Sequence, residues 1–226
     1  MVAGMSQLLP LFPLGTVLFP GLPLPLHIFE ERYRQLVRDL LAEPEPRQFG
    51  VIAIRQGHEV GTGAVAALYE VGCLAAIREV SELGDGRFGL SAVGGRRFLL
   101  GGLDRSRPYL RGELEPLPEE TGDAGAAGLA AHAVRDAFTA YLELLAQRGM
   151  ARVTGLALPG DPLTLSYLVA AAMALDVPER QALLAEPDAA ARLAAERVLL
   201  GREVAMLRAF TSAPAPGLRH DRYHPN

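Results

Sequence analysis

The order of apolar and polar positions divides this chain into a β-rich first part and a helical second part. Short apolar runs separated by glycine and proline predict strands over 8–14, 16–19, 22–29, 49–55, 73–80, 88–93, 98–103 and 109–117. One helix, predicted over 30–41 from its apolar spacing, interrupts them. Asp85-Gly86 predicts a hairpin turn, and Gly94-Gly95 predicts a bulge or bend in the returning strand.

After a predicted linker over 119–128, the apolar spacing becomes helical and stays so to about residue 210. Helices are predicted over 129–148, from Asp161-Pro162, from Asp176, and from Pro187 onward. We therefore expect an α+β protein with a β-rich subdomain over 1–120, a helical bundle over 121–211 and a mobile tail over 212–226.

Composition excludes several kinds of chemistry. The chain has no lysine, so all 22 basic residues are arginine. A Walker A phosphate loop, a Ser-Lys dyad and a Schiff-base lysine are therefore excluded. The net charge of -4 argues against a protein whose main task is to bind nucleic-acid phosphates.

The sequence also predicts a cytoplasmic protein without a membrane span. It has a single cysteine, no basic N-terminal signal and no apolar run of about 18 residues.

Three segments together resemble the N-terminal, substrate-recognition domain family of Lon proteases. The first is an apolar strand with a Phe-Pro-Gly turn and a Pro-Leu strand that leads into Ile-Phe-Glu-Glu-Arg-Tyr, over 9–33. The second is Tyr-Glu-Val-Gly-Cys-Leu-Ala at 69–75, with the hairpin and Gly-Gly-Arg-Arg-Phe at 94–98. The third is the helical stretch over 165–207, which includes Val-Pro-Glu-Arg-Gln-Ala-Leu-Leu.

The resemblance implies a PUA-like twisted β pseudo-barrel with one inserted helix, followed by an α-helical bundle. It also implies a module that binds unfolded or extended polypeptides, in a stand-alone form without the ATPase and protease modules. A separate Lon-type protease is a candidate partner. We expect no enzymatic activity, no cofactor and no metal; the oligomeric state stays open.

The turn after the first apolar run is the candidate polypeptide contact. Phe19, Pro20 and Leu22 place large apolar side chains in a turn, which is unusual where a turn faces only water. Exposed apolar residues suit the capture of unfolded chains, and an unpaired edge strand nearby could pair with a bound peptide. Burial of these residues in the core is the more common alternative.

RNA binding is the alternative function. The densest basic cluster consists of Arg96, Arg97, Arg105, Arg107 and Arg111, and PUA-like folds often bind RNA. The negative net charge and an aromatic content of 6% argue against it, because stacking on aromatic rings usually holds single-stranded bases.

The candidate catalytic and metal-binding groups each have a structural explanation as well. Cys73 with His27 or His58 could form a thiol pair, but Cys73 lies in an apolar strand run, where an inert thiol is more common. His220, Asp221 and His224 are a weak metal-site candidate in the predicted tail. Glu30 at the start of the first helix is expected to stabilise the helix and pair with an arginine.

Overall fold

The computed structural model describes residues 6–59, 65–150 and 157–211. The strands are β1 (Gln7–Leu14), β2 (Pro23–Ile28), β3 (Gln48–Gly57), β4 (Val65–Leu68), β5 (Val71–Glu82), β6 (Phe88–Asp104) and β7 (Arg111–Pro116). The helices are α1 (Glu31–Ala42), α2 (Ala124–Gln147), α3 (Pro162–Ala172), α4 (Val177–Ala185) and α5 (Ala189–Thr211). The predicted α+β class is confirmed. The predicted tail and its His220, Asp221 and His224 lie outside the described residues.

The strands form a ring that is not a regular barrel. Hydrogen-bonded neighbours run in the order β1, β7, β6, β5 and β3, and a parallel pairing of β1 with β3 closes the ring. β2 adds to β6 and β4 adds to β3. β1 changes partner along its length, because Gln7–Pro10 pairs with β7 and Leu11–Leu14 pairs with β3. The ring is therefore irregular where β1 crosses from one neighbour to the other.

Prolines occupy the strands at positions that tolerate a missing N–H group. β2, with Pro23 and Pro25, pairs only with β6 among the described strands, so it is an edge strand, where proline is tolerated. In β1, Pro10 stands where the strand changes partner. β6 is one long strand rather than two, and its register with β5 shifts opposite Gly94 and Gly95, which confirms the bulge.

Aspartates cap the helices of the bundle. The backbone N–H of Thr164 donates to the carboxylate of Asp161 at 2.8 Å, and that of Glu179 donates to Asp176 at 2.9 Å. Asp123 caps α2 in the same way. The predicted linker over 119–128 was therefore too long, since α2 begins at Ala124.

The largest apolar core joins the strand ring to the helices. Val17, Phe19 and Ala53 of the first part pack in one cluster with residues of α2 to α5. A second cluster fills the space between α1 and the strands. One core cluster contains residues from both parts of the chain. The division into two subdomains stays a prediction. No described helix is long and apolar enough to cross a membrane.

Candidate functional site

A groove runs along one side of α1, between that helix, β1 and the segment that joins β6 to β7. It consists of three adjoining cavities of about 60, 540 and 560 Å³. The first two share Pro13, Glu30 and Tyr33, and the last two share Arg107 and Tyr109. We call this the α1 groove. At this volume it has room for several side chains of a bound chain.

Tyr109 and Asp39 form the centre of the α1 groove. The Tyr109 hydroxyl donates to Asp39 Oδ2 at 2.6 Å, and Gln35 Nε2 donates to Asp39 Oδ1 at 2.7 Å. The bond from Tyr109 is the main cause that lowers the pKa of Asp39. Burial, followed by the bond to Asp39, raises the pKa of Tyr109 to about 12. At neutral pH the tyrosine is therefore a donor and the aspartate is charged.

An aromatic stack forms the wall toward the start of α1. The rings of Phe12 and Tyr33 stack with their centroids 4.1 Å apart, and the Arg32 guanidinium lies 4.5 Å from the Tyr33 centroid. Phe12 comes from β1 and Tyr33 from the first turn of α1. Both rings are buried, so the stack fixes the helix against the strand where the groove borders them.

Each end of the α1 groove carries a large apolar side chain in contact with water. Phe29 is 51% exposed beside the first cavity, and Leu8 is 46% exposed beside the third. Pro10, Pro44 and Pro46 add apolar surface near Leu8. Exposed apolar side chains grouped around a concave surface are typical of sites that bind other molecules.

The third cavity lies beside an unpaired strand edge. Gln7–Pro10 pairs with β7 on one side, and among the described residues no strand pairs with its other edge. The partner strand β3 joins β1 only from Leu11 onward. Backbone groups on an unpaired edge can accept an added strand, although Pro10 lacks the N–H donor.

The predicted arginine cluster does not form one surface. Arg97 is buried, and its guanidinium donates to the carbonyls of Leu184 at 2.9 Å and Pro118 at 2.9 Å. Arg111 binds the carboxylate of Asp104 through Nε at 2.9 Å and also through Nη2. Arg97 is therefore not available for the nucleic-acid contact that the cluster suggested, because its hydrogen-bonding groups face inward.

The other three arginines remain exposed but lie in different places. Arg105 and Arg107 line the α1 groove. Arg96 is exposed on β6, away from that groove.

A buried network with two arginines lies where the strand ring meets the helical bundle. Arg97 Nε lies 3.3 Å from Glu119 Oε1, and the Tyr167 hydroxyl donates to Glu119 Oε2. The guanidinium of Arg192 lies 4.2 Å from the centroid of the Tyr167 ring. Arg97 and Arg192 also donate to the Glu186 carbonyl. This network stabilises the arrangement of the two parts of the chain.

The predicted contact turn is mostly buried. Phe19 is 1% exposed and packs in the core, with its ring centroid 6.4 Å from that of Tyr167. Pro20 and Leu22 are half-buried, and Leu22 packs against both large apolar clusters. Phe19 is therefore a core residue, as the more common alternative has it, and it is not available as a polypeptide contact because the helical bundle packs against it.

The candidate catalytic groups are not brought together. Cys73 is buried and donates to the carbonyls of Leu74 and Gly95, and burial raises the pKa of its thiol. His27 is exposed, 3.4 Å from Arg87, and His58 is exposed as well. Glu30 pairs with Arg32 at 3.0 Å, as predicted. In the described parts of the chain, no cluster of histidine, cysteine and carboxylate side chains could hold a metal ion.

Comparison with known proteins assigns the family. Residues 8–202 match the family described as the ATP-dependent protease La (LON) substrate-binding domain. The chain belongs to this family. It is 28% identical over 194 residues to Lon protease 2 of Syntrophobacter fumaroxidans, covering 84% of the chain and 24% of that protein. It is also 28% identical over 207 residues to Lon protease 2 of Myxococcus xanthus, covering 89% of the chain and 24% of that protein. The chain thus spans about a quarter of these Lon relatives.

Solved structures agree with the assignment to the Lon substrate-binding domain family. A Lon N-terminal domain protein from Xanthomonas campestris is 26% identical, with a TM-score of 0.60, and covers 85% of this chain and 97% of its own. The N-terminal domain of Mycobacterium avium complex Lon protease, 19% identical with a TM-score of 0.59, covers 88% and 98%. The predicted family resemblance and its strand-ring-plus-bundle fold are confirmed.

Sequence reasoning missed most residues of the α1 groove. The apolar pattern predicts strands at Leu8 and Phe29, and nothing local distinguishes these residues from core positions. It also predicts a strand at Tyr109, although this residue follows Pro108 and lies between two arginines, a composition typical of a loop. That pattern was the one available signal.

Proposed function

We propose that this Lon-family domain binds extended polypeptide segments with exposed apolar side chains, and that the α1 groove is the binding site. The observation that carries the proposal is that two exposed apolar residues, Phe29 and Leu8, line the first and the last of three cavities that share lining residues. The family supplies the chemical class of ligand, since it is a substrate-binding domain of a protease.

The binding mode follows from the geometry. A bound segment would place apolar side chains against Phe29 and Leu8, with its backbone along the cavities between them. Near the third cavity, the unpaired edge of Gln7–Pro10 offers backbone groups to an extended chain. Binding of this kind requires no covalent step, so the domain would act by recognition alone. An ATP-dependent Lon-type protease is the partner that would use the bound chain.

RNA is the competing ligand, and the α1 groove disfavours it. Three arginines of the cluster line the groove, and Asp104 already pairs with one of them, Arg111. Five carboxylates line it as well: Glu30, Glu31, Asp39, Glu43 and Glu59. Carboxylates beside the path of a phosphate backbone would weaken its binding.

The test measures binding of a fluorescently labelled, permanently unfolded protein by anisotropy. The double variant Leu8→Ser with Phe29→Ser should bind roughly tenfold more weakly than the parent, because it removes apolar area that the ligand would bury. The matched control is Leu129→Ser with Val198→Ser on the helical bundle, where the side chains are 79% and 66% exposed. The control should bind as the parent does.

Labelled single-stranded RNA, measured in parallel at two salt concentrations, separates the two functions. Equal loss of binding in both double variants would contradict the assignment of the site to the α1 groove. Binding of RNA alone, with an affinity that falls steeply as salt rises, would contradict polypeptide binding itself.

A further inference from the structure

The charges along the α1 groove are unevenly neutralised. On the helix side, Glu30 lies 3.0 Å from Arg32, and Glu31 lies 3.0 Å from Arg34 and 2.9 Å from Arg38. The bond from Arg38 is the main cause that lowers the pKa of Glu31. Each of these two carboxylates therefore already has an arginine of its own helix as a partner.

On the opposite side of the groove, two arginines keep N–H donors that no strong ion pair within the described part of the protein occupies. Arg105 is exposed and has no ion-pair partner among the described residues. Arg107 is 54% exposed, and its Nη1 lies 3.6 Å from Asp39, near the limit of an ion pair. Asp39 already accepts hydrogen bonds from Tyr109 and Gln35. Arg105 and Arg107 therefore keep N–H donors that a ligand in this part of the groove can reach.

These arginines stand between the apolar ends of the groove. Arg107 lines both large cavities, one of which adjoins the small cavity beside Phe29 while the other contains Leu8. An extended chain that places apolar side chains at both ends would therefore pass Arg105 and Arg107 in its middle. A guanidinium is well suited to a carboxylate because its N–H groups donate in parallel to the two oxygens.

We propose that Arg105 and Arg107 bind a carboxylate of the polypeptide, so that the site selects segments in which an acidic residue lies between apolar ones. This inference rests on the proposed function, because it assumes a polypeptide in the α1 groove. The carboxylate can come from an Asp or Glu side chain or from a free C-terminus. Both sources present the same planar anion to the two arginines.

The experiment compares labelled peptides that differ at one position. Each has a Phe and a Leu in a Gly-Ser background, with Asp, Asn or Lys between them and both ends blocked. A further Asn peptide carries a free C-terminal carboxylate. The Asp peptide should bind the full chain about threefold to tenfold more tightly than the Asn peptide, and the Lys peptide should bind most weakly. The Asp preference should shrink as salt rises.

Variants locate the effect. Arg105→Gln with Arg107→Gln should lose the discrimination and bind the Asp and Asn peptides equally. Arg96→Gln is the matched control, because Arg96 is exposed on β6 outside the groove. It should keep the full Asp preference. Tighter binding of the Asn peptide with a free C-terminus would identify the terminal carboxylate as a second source of the anion.

The outcomes separate this inference from the function on which it rests. Equal binding of the Asp and Asn peptides by the parent would overturn the carboxylate site and leave apolar recognition standing. An Asp preference that survives in the double arginine variant would also overturn it. If none of the peptides bound, both the carboxylate site and the proposed function would fail.

Discussion

Arg97 Nε and Glu119 Oε1 lie 3.3 Å apart at the junction between the strand ring and the helical bundle. The same guanidinium donates to the Leu184 and Glu186 carbonyls, which belong to the helical part of the chain. A charged group is retained in the interior when it is paired and its remaining N–H groups are satisfied. Arg97 therefore holds the two parts of the protein together.

Replacing Arg97 by methionine should lower the free energy of unfolding by about 3 kcal/mol or more, because Glu119 and several carbonyls lose their buried partner. Urea unfolding followed by circular dichroism measures the change. The neighbouring Arg96→Met alters an exposed side chain and should stay within about 0.5 kcal/mol of the parent. Similar losses for the two variants would show that Arg97 does not hold the junction.

Gly94 is required by the close approach of another backbone segment. A Cβ atom at this position would lie 2.2 Å from the Phe19 carbonyl oxygen. Gly94→Ala should therefore destabilise the fold by roughly 1–3 kcal/mol or more, since main-chain atoms have to move. A Cβ atom at Gly201, inside α5, would meet open space. Gly201→Ala should therefore stabilise the folded protein by about 0.5–1 kcal/mol. Thermal unfolding that ranks the two variants the other way would contradict this account.

Local sequence patterns were sufficient for most of the secondary structure. The caps at Asp161 and Asp176 and the Asp85-Gly86 turn each depend on neighbours within a few residues, so a sequence pattern reveals them. The start of α2 was placed too late, because glycines at 125 and 128 resemble a linker while Asp123 already caps the helix.

The site was harder to predict because its chemistry depends on distant partners. Arg97 lies among arginines in the sequence, yet its acceptor on Leu184 is 87 residues away. Phe19 lies in a turn that would face water if the helical bundle did not cover it. Leu8 resembles any other strand residue, and its exposure follows from the change of partner along β1. Composition cannot show which residues of a cluster are covered by another part of the chain.

Glu196 carries a carboxyl group whose burial favours the protonated form. Both of its carboxyl oxygens are buried without a hydrogen-bond partner among the described atoms. Burial raises the pKa of Glu196 well above its ordinary value, while the charge of Arg192 opposes this shift. The folded protein therefore keeps the proton over a pH range in which the unfolded chain, with an ordinary glutamate pKa, has lost it.

The sign of the pH dependence follows from that proton. Above the unfolded pKa of about 4.3, the folded state binds more protons than the unfolded state, so stability falls as pH rises toward the folded pKa. The loss from this one group is about 1.4 kcal/mol for each pH unit within that window. Glu196→Gln removes the titration and keeps the shape, so it should be more stable than the parent at pH 8 and similar to it at pH 5. Urea unfolding at the two pH values measures this. A stability difference that is the same at both would mean that Glu196 titrates normally, and that its burial costs no proton-linked energy.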